Sequence, residues 1–279
     1  DESVRTATAR LADYGIPASA EMRRQFRDLF LSAPGIEQYL SGAILFPETL
    51  LQRGGDKKLF PASLATRGIA CGVKVDLGTE PIPPTALAAL GTGSTNPSEL
   101  ITQGLLDLSE RLVAYKKQGA TFTKWRAVIR IDGDSAPTPG AIHENAKRLA
   151  SYAKEVQSAG LVPIIEPEVL SLGKHSRARA RAVLEETLGT VFSVLEEHSV
   201  DRASIVLKTS MALSGKESGK RDTPEEVAED TLAALTENVP RQIAGVVFLS
   251  GGQTPSAATA NLAALARRGR EVGAPWPLT

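Results

Sequence analysis

Val162-Pro163-Ile164-Ile165-Glu166-Pro167-Glu168-Val169-Leu170 is apolar almost throughout, yet it carries two carboxylates two residues apart. A strand with one wet face alternates apolar and polar residues. A short, near-continuous apolar run instead suits a parallel strand covered on both faces. Residues two apart in a strand share a face, so Glu166 and Glu168 point one way and Pro167 the other. Two acids on a strand with no solvent-facing side are expensive unless they are paired. The stretch therefore predicts a buried parallel strand and a reason to place charge on it.

Outward from this run, similar stretches recur: Gly42–Phe46, Ile69–Val75, Trp125–Ile131, Ser204–Met211 and Ala244–Leu249. From Trp125 onward they return about every forty residues, the size of a βα unit with its loops. Helix start signals stand between them. Asn96-Pro97-Ser98-Glu99 and Thr223-Pro224-Glu225-Glu226 each read as an N-cap, a proline at the first helical position and a capping-box glutamate, while Thr138-Pro139 and Thr254-Pro255 supply cap and proline. Leu184, Leu188, Val191 and Leu195 form an apolar stripe on a helix over Arg177–Glu197, and Leu105, Leu108, Leu112 and Tyr115 form one on a helix ending at Lys117. Thr79–Ser94 and Lys216–Asp222 read as loops following strands. No tight antiparallel hairpin signal such as Asn-Gly appears, so the sheet is expected to be parallel. Neither a G-x-G-x-x-G fingerprint nor a Walker A sequence is present. Polar residues come from many strand ends, which a closed barrel gathers around one axis and an open doubly wound sheet does not. The expectation is one barrel domain over residues 1–279.

The remaining composition excludes more than it assigns. The 279 residues carry 32 basic and 32 acidic side chains, a formal net charge of zero, so nothing in the charge balance calls for nucleic acid or a membrane surface. Cys71 is the single cysteine, which rules out an internal disulfide framework and suits a reducing compartment. His143, His175 and His198 are far apart, are expected on the surface, and do not form a metal-ligand set. No apolar run is long enough to span a bilayer. The chain begins Asp1-Glu2-Ser3 without a methionine, so a leader is unconstrained, and a cytoplasmic location with organellar targeting left open is the expectation.

Charges recur where buried strands should have none. Lys74 and Asp76 flank Val75, Lys124 and Arg126 flank Trp125, and Lys208 closes the apolar run Ser204-Ile205-Val206-Leu207. Structural ion pairs capping a barrel are one reading. Charges on four consecutive strands are better explained as an active site at the strand ends. Lys124 and Arg126 open their apolar run instead of closing it, so either that strand begins earlier, around Thr121, or the side chains reach up the barrel. Ser250-Gly251-Gly252-Gln253 follows the last strand and precedes a capped helix, where free backbone N–H groups and a helix N-terminus favour a phosphate.

Taken in order, Asp1-Glu2-Ser3, Gly72-Val73-Lys74-Val75-Asp76, Gly104-Leu105 through Leu108-Ser109-Glu110-Arg111, Tyr115-Lys116-Lys117, Lys124-Trp125-Arg126, Glu166-Pro167-Glu168, Leu207-Lys208 and Phe248-Leu249-Ser250-Gly251-Gly252-Gln253 resemble class I fructose-bisphosphate aldolase along the whole chain. Lys208-Thr209-Ser210-Met211 departs from the Lys-Pro-Asn-Met of the animal enzymes and looks like the bacterial branch. The resemblance implies an α/β fold, a (β/α)8 TIM barrel, here lacking most of strand 1 and all of strand 8. It implies a lyase acting on sugar phosphates in glycolysis and gluconeogenesis, with no cofactor and no metal, in a family that is commonly tetrameric.

The same resemblance implies roles. Lys208 forms a Schiff base with the substrate ketone, Glu166 shuttles protons during its formation, and Asp1 takes the proton from the C4 hydroxyl. Lys124, Glu168, Lys74 and Asp76 complete that charge network. Ser3, Arg10, Lys74 and Arg126 lie near the phosphate ends of the sugar, and Ser250, Gly251 and Gly252 hold the phosphate nearest the ketone. The chemistry is coherent: cleaving a C–C bond beside a carbonyl needs an electron sink, and a protonated imine is one. Family members continue beyond Pro-Trp-Pro-Leu-Thr into a strand carrying Ser-Tyr-Gly-Arg and a tail, so a weakly active or inactive fragment is an alternative expectation. Another Schiff-base barrel enzyme, such as a transaldolase or a pyruvate-type aldolase, is a further one, against which the Lys-Trp-Arg and Ser-Gly-Gly-Gln contexts argue. A non-enzymatic scaffold is the last, against which Lys208, Glu166 and Asp1 argue.

Overall fold

The computed structural model describes residues 1–83 and 99–279. Asn96, Pro97 and Ser98 of one expected helix start, and residues 84–94 of the expected loop, lie outside the described residues. The fold is α/β. Its main sheet has six parallel strands, β1 (Gly42–Leu45), β2 (Ala70–Lys74), β5 (Phe122–Ile129), β6 (Val162–Val169), β7 (Val206–Thr209) and β8 (Gly245–Phe248), hydrogen-bonded in chain order. All six were expected from the apolar runs. A doubly wound sheet reverses its strand order at a switch point, and these strands do not. The third, β5, starts at Phe122, ahead of the expected Trp125, so Lys124 and Arg126 sit inside the strand.

Two further strands, β3 (Thr79–Pro81) and β4 (Leu100–Thr102), pair antiparallel. This corrects the expectation of an uninterrupted loop from Thr79 and of a purely parallel protein. The cue was missing because no two-residue turn joins them. Glu99 is corrected as well. It starts no helix but precedes β4 and accepts hydrogen bonds from the Thr138 backbone N at 2.5 Å and the Thr138 hydroxyl at 2.9 Å. Burial pushes its carboxyl above the usual range, against those two bonds.

The chain forms two compact units. The first comprises Asp1–Val75, Asp107–Lys124 and Ser158–Val162. It holds α1 (Val4–Ala12), α2 (Ala20–Leu31), α3 (Pro47–Leu50), α4 (Phe60–Thr66) and α5 (Leu108–Lys117), with β1, β2 and the start of β5. Ser3 and Ser19 cap α1 and α2 by accepting from the N–H groups of Thr6 and Met22. Leu108 and Leu112 are buried on α5, whereas Leu105 precedes the helix and is half-buried. Gly72 and Phe122 face each other across β2 and β5. The ring fills the space a side chain at Gly72 would need, since a Cβ there would lie 2.1 Å from it.

The second unit comprises the described residues of Asp76–Leu106 together with Trp125–Gln157 and Pro163–Thr279. Its helices are α6 (Pro139–Ser158), α7 (Arg177–Glu197), α8 (Pro224–Asn238) and α9 (Pro255–Glu271). Thr223 and Glu226 make the full capping box of α8, and Thr254 caps α9. On α7, Leu184, Leu188, Val191 and Leu195 are all buried, as the stripe predicts. Each contributes on the order of 2 kcal/mol relative to exposure. Met211, Val227, Ala228, Leu232, Ala264 and Leu265 make a core that joins β7's exit to α8 and α9, with Phe248 and Leu278 packed against it. Leu278 also makes a parallel bridge to Val246, and Thr279 exchanges backbone hydrogen bonds with β8. The register thus continues one step past β8, which the sequence reading did not give. Among the described residues, no helix is long and apolar enough to cross a membrane.

Candidate active site

In the second unit, Lys208 sits near the C-terminal end of β7, and its Nζ lies 3.1 Å from Glu166 Oε1 on β6. The Glu166 side chain is 5% exposed and that of Lys208 22%, so the lysine side chain is open to solvent while the acid stays covered. Two residues along β6, Glu168 accepts from Arg126 Nε of β5, and Asp76 accepts from the Arg126 backbone N at 3.2 Å. Burial works against the Arg126 charge, but Glu168, Glu166 and Asp76 outweigh it and hold the guanidinium above its ordinary pKa. Glu166, Glu168 and Asp76 are all buried. Trp125, between Lys124 and Arg126, stacks on Tyr152 of α6 at 5.4 Å. The Val169 N–H donates to Ser210 Oγ at 3.2 Å, so the serine that departs from the animal pattern fastens β7's exit to β6.

The loop after β8 is shaped for an anion. Gly251 and Gly252 both have positive φ, 57° and 75°, a conformation that costs glycine little. Their N–H groups have no acceptor among the described residues. Ser171 Oγ donates to the Gly251 carbonyl at 2.6 Å, and α9 begins three residues on from Gly252, at Pro255. Successive free N–H groups ahead of a helix start are suited to phosphate oxygens.

In the first unit, Lys74 ends β2 and lies in register with Lys124 of β5. Lys124 is buried, and lysines in register on adjacent strands call for carboxylates or a bound anion to offset their charge. Arg111 of α5 donates to the Val75 carbonyl at 2.8 Å and so covers the end of β2. Asp1 is held by donors from α2, from the end of β1 and from α3. It accepts from Arg27 Nε at 3.2 Å, from the Phe46 backbone N at 2.9 Å and from the Thr49 hydroxyl. Arg27 is itself buried and also bonds Glu48 and Gln52. Hydrogen bonding from Arg23 first, with Arg27 adding to it, holds the Glu48 carboxyl below the usual range against its burial.

Ser3 and Arg10, expected near the phosphate ends of the sugar, have local partners. Ser3 accepts from the Thr6 N–H at 3.2 Å and shares a 2.9 Å hydrogen bond with the Thr6 hydroxyl, while Arg10 pairs with Glu2 at 2.7 Å. The sequence reading missed Arg27 and Glu48. Glu48 stands just past an apolar strand end, the same position that singled out Asp76, and could have been found by that rule. Arg27 could not, because beside Arg23 and Arg24 it reads as one face of a solvated helix. His175, expected on the surface, is half-buried, and burial lowers its pKa. His143 is half-buried too, whereas His198 is exposed as expected.

The family model for fructose-bisphosphate aldolase class-I matches residues 1–279. A probable fructose-bisphosphate aldolase class 1 of Xanthomonas campestris pv. campestris is 42% identical over 279 residues, covering 100% of this chain and 79% of that protein. The fructose-bisphosphate aldolase of Drosophila melanogaster is 42% identical over 280 residues, covering 100% of this chain and 73% of that one. Fructose-bisphosphate aldolase from Plasmodium falciparum, solved with TRAP and a small molecule inhibitor, superposes with a TM-score of 0.92 at 38% identity, covering 100% of this chain and 77% of that chain.

Proposed function

The chain belongs to the class I fructose-bisphosphate aldolase family, and we propose that Lys208 carries the reaction, the reversible cleavage of fructose 1,6-bisphosphate to dihydroxyacetone phosphate and glyceraldehyde 3-phosphate. The observation that carries this is the covered carboxyl of Glu166 at 3.1 Å from the amine of Lys208. The amine attacks the substrate ketone. Glu166 delivers a proton to the departing hydroxyl as the carbinolamine loses water and recovers it on hydrolysis. The resulting protonated imine withdraws the electron pair of the C3–C4 bond, which releases the aldehyde and leaves an enamine.

Asp1 is assigned the C4 hydroxyl proton, and the donors from Arg27, Phe46 and Thr49 support a carboxylate held in one orientation. Arg126, paired to Glu168, together with Lys74, Lys124 and Asp76, supplies the charge that orients the sugar. Ser250, Gly251 and Gly252 bind the ketone-side phosphate. Ser3 and Arg10 belong to the aldehyde-side phosphate, for which they would exchange their present local partners. The six strands of the main sheet are read as strands of a (β/α)8 barrel, and residues 1–279 as one barrel domain. A homo-oligomer working in the cytoplasm completes the proposal. A single buried, free cysteine, Cys71, its thiol pushed up to about 12 by burial, fits a reducing compartment.

The test is borohydride reduction in the presence of dihydroxyacetone phosphate, followed by peptide mapping. The adduct is expected on Lys208, and Lys208→Met should abolish it. An adduct on Lys74 or Lys124 would overturn the assignment.

A further inference from the structure

Lys216, in the loop after β7, is used by none of the steps above. Its ammonium lies against Gly252: a Cβ at that glycine would sit 2.1 Å from Lys216 Nζ. Nζ makes no ion pair or hydrogen bond among the described residues. The residue is nevertheless not a loose surface lysine. Its backbone N–H donates to the Ser171 carbonyl at 2.9 Å, and its neighbours Gly215 and Glu217 donate to the carbonyls of His175 and Gly173 at 2.8 and 2.9 Å. Gly215 packs so closely that a Cβ would meet the Gly173 carbonyl at 2.3 Å. Ser171 in turn donates through its hydroxyl to the Gly251 carbonyl at 2.6 Å. A short chain of hydrogen bonds therefore joins the loops after β7, β6 and β8, and it fixes the lysine where its amine reaches the glycine turn.

We propose that Lys216 is a cation of the ketone-side phosphate subsite, binding the phosphate dianion together with the N–H groups of Gly251 and Gly252. This deepens the assignment of Ser250, Gly251 and Gly252 and rests on it. The amides of a glycine turn orient phosphate oxygens but carry no net charge. The Lys216 ammonium against the turn adds charge, and charge-assisted bonds are the strong ones. The close approach also gives a second reason for glycine at 252, since any side chain would displace the amine. Lys216 binds the phosphate and does not touch the reacting carbons, so its loss should act on KM far more than on kcat.

The experiment compares the parent protein with Lys216→Met and Lys216→Arg. Lys216→Met should raise the KM for fructose 1,6-bisphosphate about ten- to a hundredfold, the loss expected for one charge-assisted contact, with kcat within about threefold and Lys216→Arg recovering most of the loss. Borohydride trapping of dihydroxyacetone phosphate at Lys208 should need correspondingly more ligand in Lys216→Met, while trapping of the phosphate-free ketone dihydroxyacetone should be unchanged. Equal weakening of both ketones, or of neither, overturns the proposal. Binding of inorganic phosphate by calorimetry judges it independently of any trapping. Failure to trap a ketone on Lys208 strikes the function proposed above, whereas phosphate affinity unchanged in Lys216→Met strikes this inference alone.

Discussion

Lys208 Nζ and Glu166 Oε1 stand 3.1 Å apart on adjacent parallel strands, and the acid, not the amine, is the more deeply covered of the two. That asymmetry suits an amine that must meet an incoming ketone and an acid that must exchange protons with the adduct without free access of water.

Glu166→Gln keeps the shape of the side chain and one hydrogen bond to the amine but removes the proton carrier. kcat for fructose 1,6-bisphosphate cleavage is expected to fall about a hundred- to ten-thousandfold, the usual worth of a positioned acid–base group, with KM changed little. Stopped-flow measurement of imine formation locates the loss. If imine forms at the parent rate, another group shuttles the proton.

The protonated imine already provides the electron sink, so the reaction requires no Lewis acid. Prolonged dialysis against EDTA is expected to leave the cleavage rate unchanged. Loss of activity that a divalent ion restores would place the chemistry elsewhere.

Much of this was legible before the structure, for a physical reason. A parallel strand buried on both faces is a continuous apolar run, so Glu166, Glu168, Asp76 and Lys208 stand out by costing energy where they are. Caps such as Thr223 and Thr254 are legible because their geometry is local. Features made by distant partners were not. The pairing of β3 with β4 has no turn to announce it, and Glu99, read as a capping box, instead holds Thr138. In sequence, Arg27 reads as one more surface arginine beside Arg23 and Arg24, until Asp1 and Glu48 are placed beside it.

His175 gives a pH dependence of stability. Burial holds its folded pKa below the ordinary 6.5. Above 6.5 neither state carries the proton and the folded protein loses nothing. As pH falls through 6.5 toward the folded value, the unfolded chain takes up a proton that the folded protein resists, and stability drops. Thermal unfolding of the parent and of His175→Gln, which does not titrate, should therefore differ more in the parent's favour at pH 8 than at pH 5.5. A gap that stays constant across this range would show that His175 titrates alike in both states.

Gly72 and Phe122 test the packing of β2 against β5. A Cβ at Gly72 would lie 2.1 Å from Cε2 of the Phe122 ring and 2.4 Å from two more of its carbons, so Gly72→Ala cannot be absorbed without moving the ring. Forced repacking of this kind costs about 1–3 kcal/mol. Phe122→Leu alone also destabilises, by leaving space behind. The pair shares one volume, so their effects should not add: the double variant is expected to be more stable than the sum of the single losses predicts, by at least about 0.5 kcal/mol. Denaturant unfolding of all four proteins measures the cycle. Strictly additive losses would mean that the cost of Gly72→Ala does not arise from the Phe122 ring. The register that puts Lys74 beside Lys124 would then not depend on this contact.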